Sequence, residues 1–160
     1  MINNSMKIID LFENIDNLIR FDGLDDLSSA VINDVYKQLE QFKSSTIYIE
    51  TGFSNVSCSA YINIQIYDDN DQLEEELKIR VSDHQDKYGS DITYFINSIY
   101  KPVYQGFKWT DEDSDEYEIF FTCDDDDDLE FSHFIVDKDD FKNMVNEIVL
   151  DIKNRLSLLS

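Results

Sequence analysis

The apolar positions of this chain follow a helical period at both ends and a period of two in between. Ile8, Leu11, Phe12, Ile15, Leu18 and Ile19 recur at helical spacing, with Asp10, Glu13, Asp16 and Asn17 between them and Ser5 placed to cap the first turn. Phe21-Asp22-Gly23 breaks that pattern. A second helix is predicted from about Asp25 to Phe42, with Leu27, Val31, Val35, Leu39 and Phe42 inward. The first quarter therefore reads as a helical hairpin.

Strand-forming residues take over at Thr46 to Glu50. From Ser59 to Tyr67 the alternation is clean: Ile62, Ile64 and Ile66 face one way, and Tyr61, Asn63, Gln65 and Tyr67 the other. After an acidic turn, Leu77, Ile79 and Val81 alternate with Lys78, Arg80 and Ser82. This predicts a hairpin with one aliphatic face on the core and one polar face in water. Asp91 to Tyr100 reads as a short helix that ends before Pro102. Three further strands are predicted at about Val103 to Trp109, Tyr117 to Cys123 and Leu129 to Val136. The C-terminal helix is the clearest element. Asp137 caps it, Asp139 and Asp140 suit its first turn, and Lys153 and Arg155 its last. Its apolar stripe is Phe141, Met144, Val145, Ile148, Ile152, Leu156 and Leu159.

The expected class is α+β, with an antiparallel sheet of about six strands arranged as two three-stranded meanders. One domain is expected over residues 1–160: a helical hairpin (1–43), a sheet with an inserted helix (44–136) and a C-terminal helix (137–160). The two acidic hairpins align with each other. Placing Tyr61 on Tyr117 also brings Asp68, Asp69, Asp71, Leu73, Glu74 and Ile79 onto Asp124, Asp125, Asp127, Leu129, Glu130 and Ile135. This is either an internal duplication or the coincidence of two acidic turns.

Charge changes the picture most. Thirty-five Asp and Glu oppose thirteen Lys and Arg, a formal net charge of -22 over 160 residues. The excess is concentrated at Asp68, Asp69, Asp71, Glu74, Glu75 and Glu76, and again from Asp111, Glu112 and Asp113 through the block Asp124, Asp125, Asp126, Asp127 and Asp128. Such a field repels nucleic acid and anionic membrane and attracts basic protein surfaces. With 42% hydrophobic residues, eleven Phe and nine Tyr, the chain has the material for a core and is not expected to be disordered. Cys58 and Cys123 make no disulfide framework; both fall where strand alternation suggests burial. The N-terminus lacks the pattern of a signal peptide, so a cytoplasmic protein is expected.

Catalytic chemistry has little support. Asp124, Asp126, Asp128 and Glu130 have the spacing of a calcium loop, but Leu129 and Ile135 stand where that loop needs Gly and Glu. Glu76-Leu77-Lys78 matches half of a common nuclease metal site, in a chain that would repel a nucleic-acid substrate. Ser82, Asp83 and His84 are adjacent and so diverge rather than form a triad, and His133 alternates with Phe131 and Ile135 as a structural residue would. No enzyme activity, cofactor or bound metal is expected, and no catalytic residue is assigned.

The string Ile79 to His84, with Ser59-Ala60-Tyr61 before it, resembles an S-x-Y…IRxSDH pattern of functionally unassigned phage and mobile-element proteins. In size and charge the chain also resembles acidic anti-CRISPR and anti-restriction inhibitors. That resemblance implies a non-enzymatic inhibitor that occupies the basic nucleic-acid-binding groove of a nuclease or effector, with carboxylates in place of phosphates. Tyr61 and Tyr67, beside the acidic loops, would supply packed contacts. An immunity protein or antitoxin against a basic nuclease toxin, and a small metal-dependent enzyme, are the alternatives. Direct nucleic-acid or membrane binding is not expected.

Overall fold

The computed structural model describes residues 5–7, 15–83, 90–109, 117–122 and 130–156. It is α+β, and its strands form two sheets rather than one. The chain gathers into two compact units, each built from two separate stretches: Met1–Gly23 with Ile99–Asp139, and Leu24–Ser98 with Asp140–Ser160.

The first unit is a five-stranded antiparallel sheet. Its strands are β1 (Ser5–Lys7), β2 (Leu18–Phe21), β7 (Tyr100–Trp109), β8 (Tyr117–Thr122) and β9 (Glu130–Asp137), in the order β1-β8-β7-β9-β2. The amphipathic N-terminal helix is not found among the described residues. In its place stand two edge strands and a 3-10 turn, Ile15–Asn17. Helical spacing is a weak prior that tertiary pairing overrides: β1 and β2 complete the ladders of β8 and β9. The second meander is also corrected. Strand β7 lies between β8 and β9, pairing with β9 from Tyr100 to Gln105 and with β8 from Tyr104 to Trp109. The strands flanking the Asp124–Asp128 block therefore do not pair with each other, whereas those flanking Asp68–Asp71 do. A duplication would preserve that pairing, so the alignment of the two acidic segments reflects composition.

The second unit holds the four-stranded sheet β3 (Ile47–Ser54), β4 (Ser59–Tyr67), β5 (Leu73–Ser82) and β6 (Ile92–Phe95), in sequence order. The first three strands form the expected antiparallel meander; β6 adds in parallel beside β5, so this sheet is mixed. The predicted helix at Asp91 is thus mostly a strand, followed by a 3-10 turn at Ile96–Ser98. Ile92, Thr93, Tyr94 and Phe95 are β-branched or aromatic, which favours a pleated surface. Asp91 fastens the strand's start: its amide donates to the Lys78 carbonyl at 2.8 Å, and its carboxylate accepts from the Lys78 amide at 2.8 Å.

Helix α1 (Leu24–Leu39) covers the aliphatic face of this sheet. Leu27, Val31, Ile32, Val35 and Leu39 meet Ile62, Ile64, Leu77, Ile79 and Val81, all buried. Burying each such side chain contributes about 1.5–3 kcal/mol. Ser28 is buried among them and bridges the two strands: its Oγ accepts from the Ala60 amide at 2.8 Å and donates to the Val81 carbonyl at 2.6 Å. Helix α2 (Lys138–Arg155) is the predicted C-terminal helix, and the Asp137 carboxylate accepts from the Asp139 amide at 2.8 Å as its cap. Its buried stripe is the predicted one with Val149 added; Leu159 lies outside the described residues.

Tyr94 on β6 joins α2 through a hydrogen bond from its hydroxyl to Asp151, and Arg155 Nε donates to the same carboxylate at 3.0 Å. Burial, then the Asp151 bond and charge, push the Tyr94 phenol well above its ordinary 10.0, against a smaller opposing effect of Arg155. A phenol held neutral in the fold stabilises fully below its unfolded pKa, and that contribution is lost as pH rises toward the folded one. In denaturant titrations between about pH 9 and 11, Tyr94→Phe should therefore lose less unfolding free energy with rising pH than the parent protein. Identical pH slopes would show that the phenol titrates as it does in the unfolded chain.

Candidate functional site

The acidic tip between β4 and β5 is an ordered turn. The Asp68 amide donates to the Gln72 carbonyl at 2.9 Å, and the Asp71 amide to the Asp68 carbonyl at 3.1 Å. Asp68 Oδ1 accepts from the amides of Asn70 at 2.8 Å and Gln72 at 2.9 Å. This is the short-range bonding that makes Asp a turn former. Asp71 takes a left-handed φ of 61°, which Asp tolerates better than most side chains. Asp68 thus organises the tip, while Asp69, Asp71, Glu74 and Glu75 are exposed on it. Glu76 is tethered one step along: Gln65 Nε2 donates to its carboxylate at 2.7 Å, and Lys78 Nζ stands 3.9 Å away.

Tyr67 leads into this tip. Its ring meets that of Tyr48 edge to face at 5.4 Å, and its hydroxyl donates to Gln65 Oε1 at 3.3 Å. Tyr48, which sequence reasoning did not single out, is 53% exposed and the more accessible of the two. Tyr61 lies six residues back along β4, about 20 Å from Tyr67 at the rise of a strand. It belongs to other surroundings: a Cβ on Gly52, its partner across β3, would lie 2.6 Å from Tyr61 Cζ, so only glycine leaves room for the ring. The structure therefore brings Asp68, Asp69, Asp71, Glu74, Glu75, Glu76 and Tyr67 together at one end of the sheet and sets Tyr61 apart. Asp111, Glu112, Asp113 and Asp124 to Asp128 lie outside the described residues, as do Cys123 and His84.

Around Tyr61 the polar face is not simply in water. Arg80 is 3% exposed, and Ser57, Ser59 and Ser82 are buried with it. Its Nη1 donates to Ser59 Oγ and Ser82 Oγ, and its Nη2 to Thr93 Oγ1, each at 3.4 Å. Arg80 lines a cleft of about 280 Å³ whose walls also include Lys78, Tyr61, Asn63, Ser57 and Ser90. Sequence reasoning did not find this cleft. The available signal was the pairing of an Arg-x-Ser strand with the Ser59-x-Tyr61-x-Asn63 face of its neighbour. Cys58 is also corrected: it ends the turn after β3, exposed, with φ of 50°.

The half-site Glu76-Leu77-Lys78 faces neutral amides, because Gln65 and Asn63 are the cross-strand partners of Glu76 and Lys78. Among the described residues no three His, Cys, Asp or Glu gather where they could hold a metal ion, and no helix is long and apolar enough to cross a membrane. No protein-family model matches the chain, nor does any curated protein or any solved structure.

The tip geometry separates its aspartates. Asp68→Ala removes the acceptor for two turn amides and should lower stability by about 0.5–2 kcal/mol in chemical denaturation, as loss of a comparable cap does. Asp71→Gly relieves a left-handed residue and a repelling charge, so it should be neutral or stabilising. Equal losses at both positions would contradict the division of roles.

Proposed function

We propose that this protein is an acidic, non-enzymatic binding protein that occupies the basic nucleic-acid-binding surface of a nuclease or similar effector. The observation that carries this reading is the β4–β5 tip, where exposed Asp69 and Asp71 lie on a turn pinned by Asp68 and exposed Glu74 and Glu75 on the first residues of β5, beside Tyr48 and Tyr67, in a chain of net charge -22. Duplex nucleic acid presents about one negative charge per 1.7 Å of axis, and a lysine- and arginine-lined groove is built to meet that density. Because the backbone of the turn is already hydrogen-bonded, docking there does not also have to order a loop. The paired tyrosines add a rigid aromatic contact of the kind that anchors interfaces. The net charge of the chain steers encounter with a basic partner. Inhibition of a host defence protein by nucleic-acid mimicry is the biological form that fits this chemistry and the phage-like Ile79–His84 string.

The test is affinity capture from a lysate containing defence nucleases, followed by titration of the captured protein against the parent and a tip-neutral variant, Asp69→Asn, Asp71→Asn, Glu74→Gln and Glu75→Gln. Capture of a basic nucleic-acid-binding protein is expected. The variant should bind it at least about tenfold more weakly, roughly 1.4 kcal/mol, and melt at the same or a higher temperature in low salt. Unchanged affinity in a folded variant would remove the tip from the interface.

A further inference from the structure

Three lysines gather on one surface of the second unit. Lys37 in the last turn of α1, Lys43 just past the 3-10 turn Glu40–Phe42, and Lys153 in the last turn of α2 line one open depression of about 650 Å³, with Tyr36, Glu40 and Gln41. They are three of thirteen Lys and Arg set against thirty-five Asp and Glu. Lys43 Nζ donates to the Tyr36 hydroxyl at 3.0 Å and stands 5.4 Å from the centre of that ring; Lys153 Nζ stands 5.5 Å from the centre of the Phe42 ring. Such contacts position an ammonium without neutralising it. Among the described residues Lys78 pairs with Glu76 and Arg155 with Asp151, and these three lysines form no such pair. A helix C-terminus favours a cation, which accounts for Lys37 and Lys153 singly but not for Lys43 or for the gathering of all three.

The patch adjoins the acidic tip. The Ser44 amide donates to the Ile47 carbonyl at 3.1 Å, and the Tyr67 amide to the Thr46 carbonyl at 2.8 Å, so the chain leaving Lys43 enters β3 beside the point where β4 leaves for the tip. An extended chain spans at most about 3.6 Å per residue, which puts the Cα of Lys43 within roughly 16 Å of that of Tyr67. A standard interface covers about 800 Å² per partner, a patch roughly 28 Å across, so one partner spans both charges. A uniformly basic groove would gain at the tip and be repelled at the lysines. A groove that sets carboxylates among its cations gains at both. Metal-dependent nucleases have that surface: Lys and Arg hold phosphates, and carboxylates hold the divalent ions that activate the attacking oxygen. Resting on the reading above, we propose that Lys37, Lys43 and Lys153 dock on the metal-binding carboxylates of a metal-dependent nuclease while the tip takes its adjoining basic surface. The ammoniums then stand where the divalent ions would, and protein and metal exclude each other.

The test is the affinity of the full chain for the captured partner in saturating magnesium chloride and in EDTA, at matched ionic strength. The parent should bind about tenfold more weakly with magnesium. The variant Lys37→Gln, Lys43→Gln, Lys153→Gln should bind about tenfold more weakly than the parent in EDTA and lose the magnesium effect, and the Arg variant at the same three positions should restore both. The tip-neutral variant should bind weakly yet keep the magnesium effect, which separates competition at the lysines from screening of the tip. Magnesium-independent affinity of the parent, or full affinity of a folded Gln variant, overturns this inference alone. Capture of no nuclease overturns it together with the reading beneath it.

Discussion

A single buried hydroxyl fixes the geometry on which the second unit depends. Ser28 sits in the apolar stripe of α1 and satisfies one amide of β4 and one carbonyl of β5, so helix and strands can meet in one register only. Leaving either backbone group unpaired in that setting costs about 1–3 kcal/mol. Strand side chains alternate with a period of two, so slipping β4 or β5 by one residue would turn Ile62, Ile64, Ile79 and Val81 outward and bury Tyr61, Asn63 and Lys78. The same constraint therefore chooses which residues make the core, which line the Arg80 cleft and where the acidic tip emerges.

The charge of the chain sets the second constraint. At -22, self-repulsion favours expansion, and the apolar core of α1, α2 and the four-stranded sheet has to offset it. The described carboxylates are sorted by position. Asp68, Asp91 and Asp137 bind backbone amides and end or begin elements, Asp151 joins Tyr94 to Arg155, and Glu76 is tied to Gln65. Asp69, Asp71, Glu74 and Glu75 have no such structural assignment among these bonds, and they are clustered where repulsion between them is strongest. Solubility would be served equally well by dispersing them. Their concentration is the physical reason to connect the tip with a basic partner.

What the sequence revealed depended on whether local pattern and tertiary pairing agreed. They agree at α1, at the β3–β4–β5 meander and at α2, whose capping Asp137 and apolar stripe were all legible. They conflict among the described residues of the first stretch, where Leu18 and Ile19 lie in an edge strand that closes the ladder of β9. They conflict again at Ile92 to Phe95, where a short run beside a capping-type Asp resembled a helix start but paired in parallel with β5. The acidic tip was visible as composition, although the structural role of Asp68 was not, because Asp68, Asp69 and Asp71 look alike without the turn. The cleft was hidden for a similar reason. Ser82 is two residues from Arg80 but Ser59 is 21 residues away, and alternation assigns a face without saying whether that face is covered.

The central claim is that carboxylates of this protein take the place of phosphates on a basic surface. The most direct measurement is competition on the captured partner: association of the protein followed by surface plasmon resonance, with and without saturating duplex DNA or RNA, across a range of salt. The account predicts that nucleic acid and protein exclude each other, and that the on-rate falls steeply as salt rises, within the 10- to about 1,000-fold range that electrostatic steering spans. A ternary complex that forms at a salt-independent rate would contradict it.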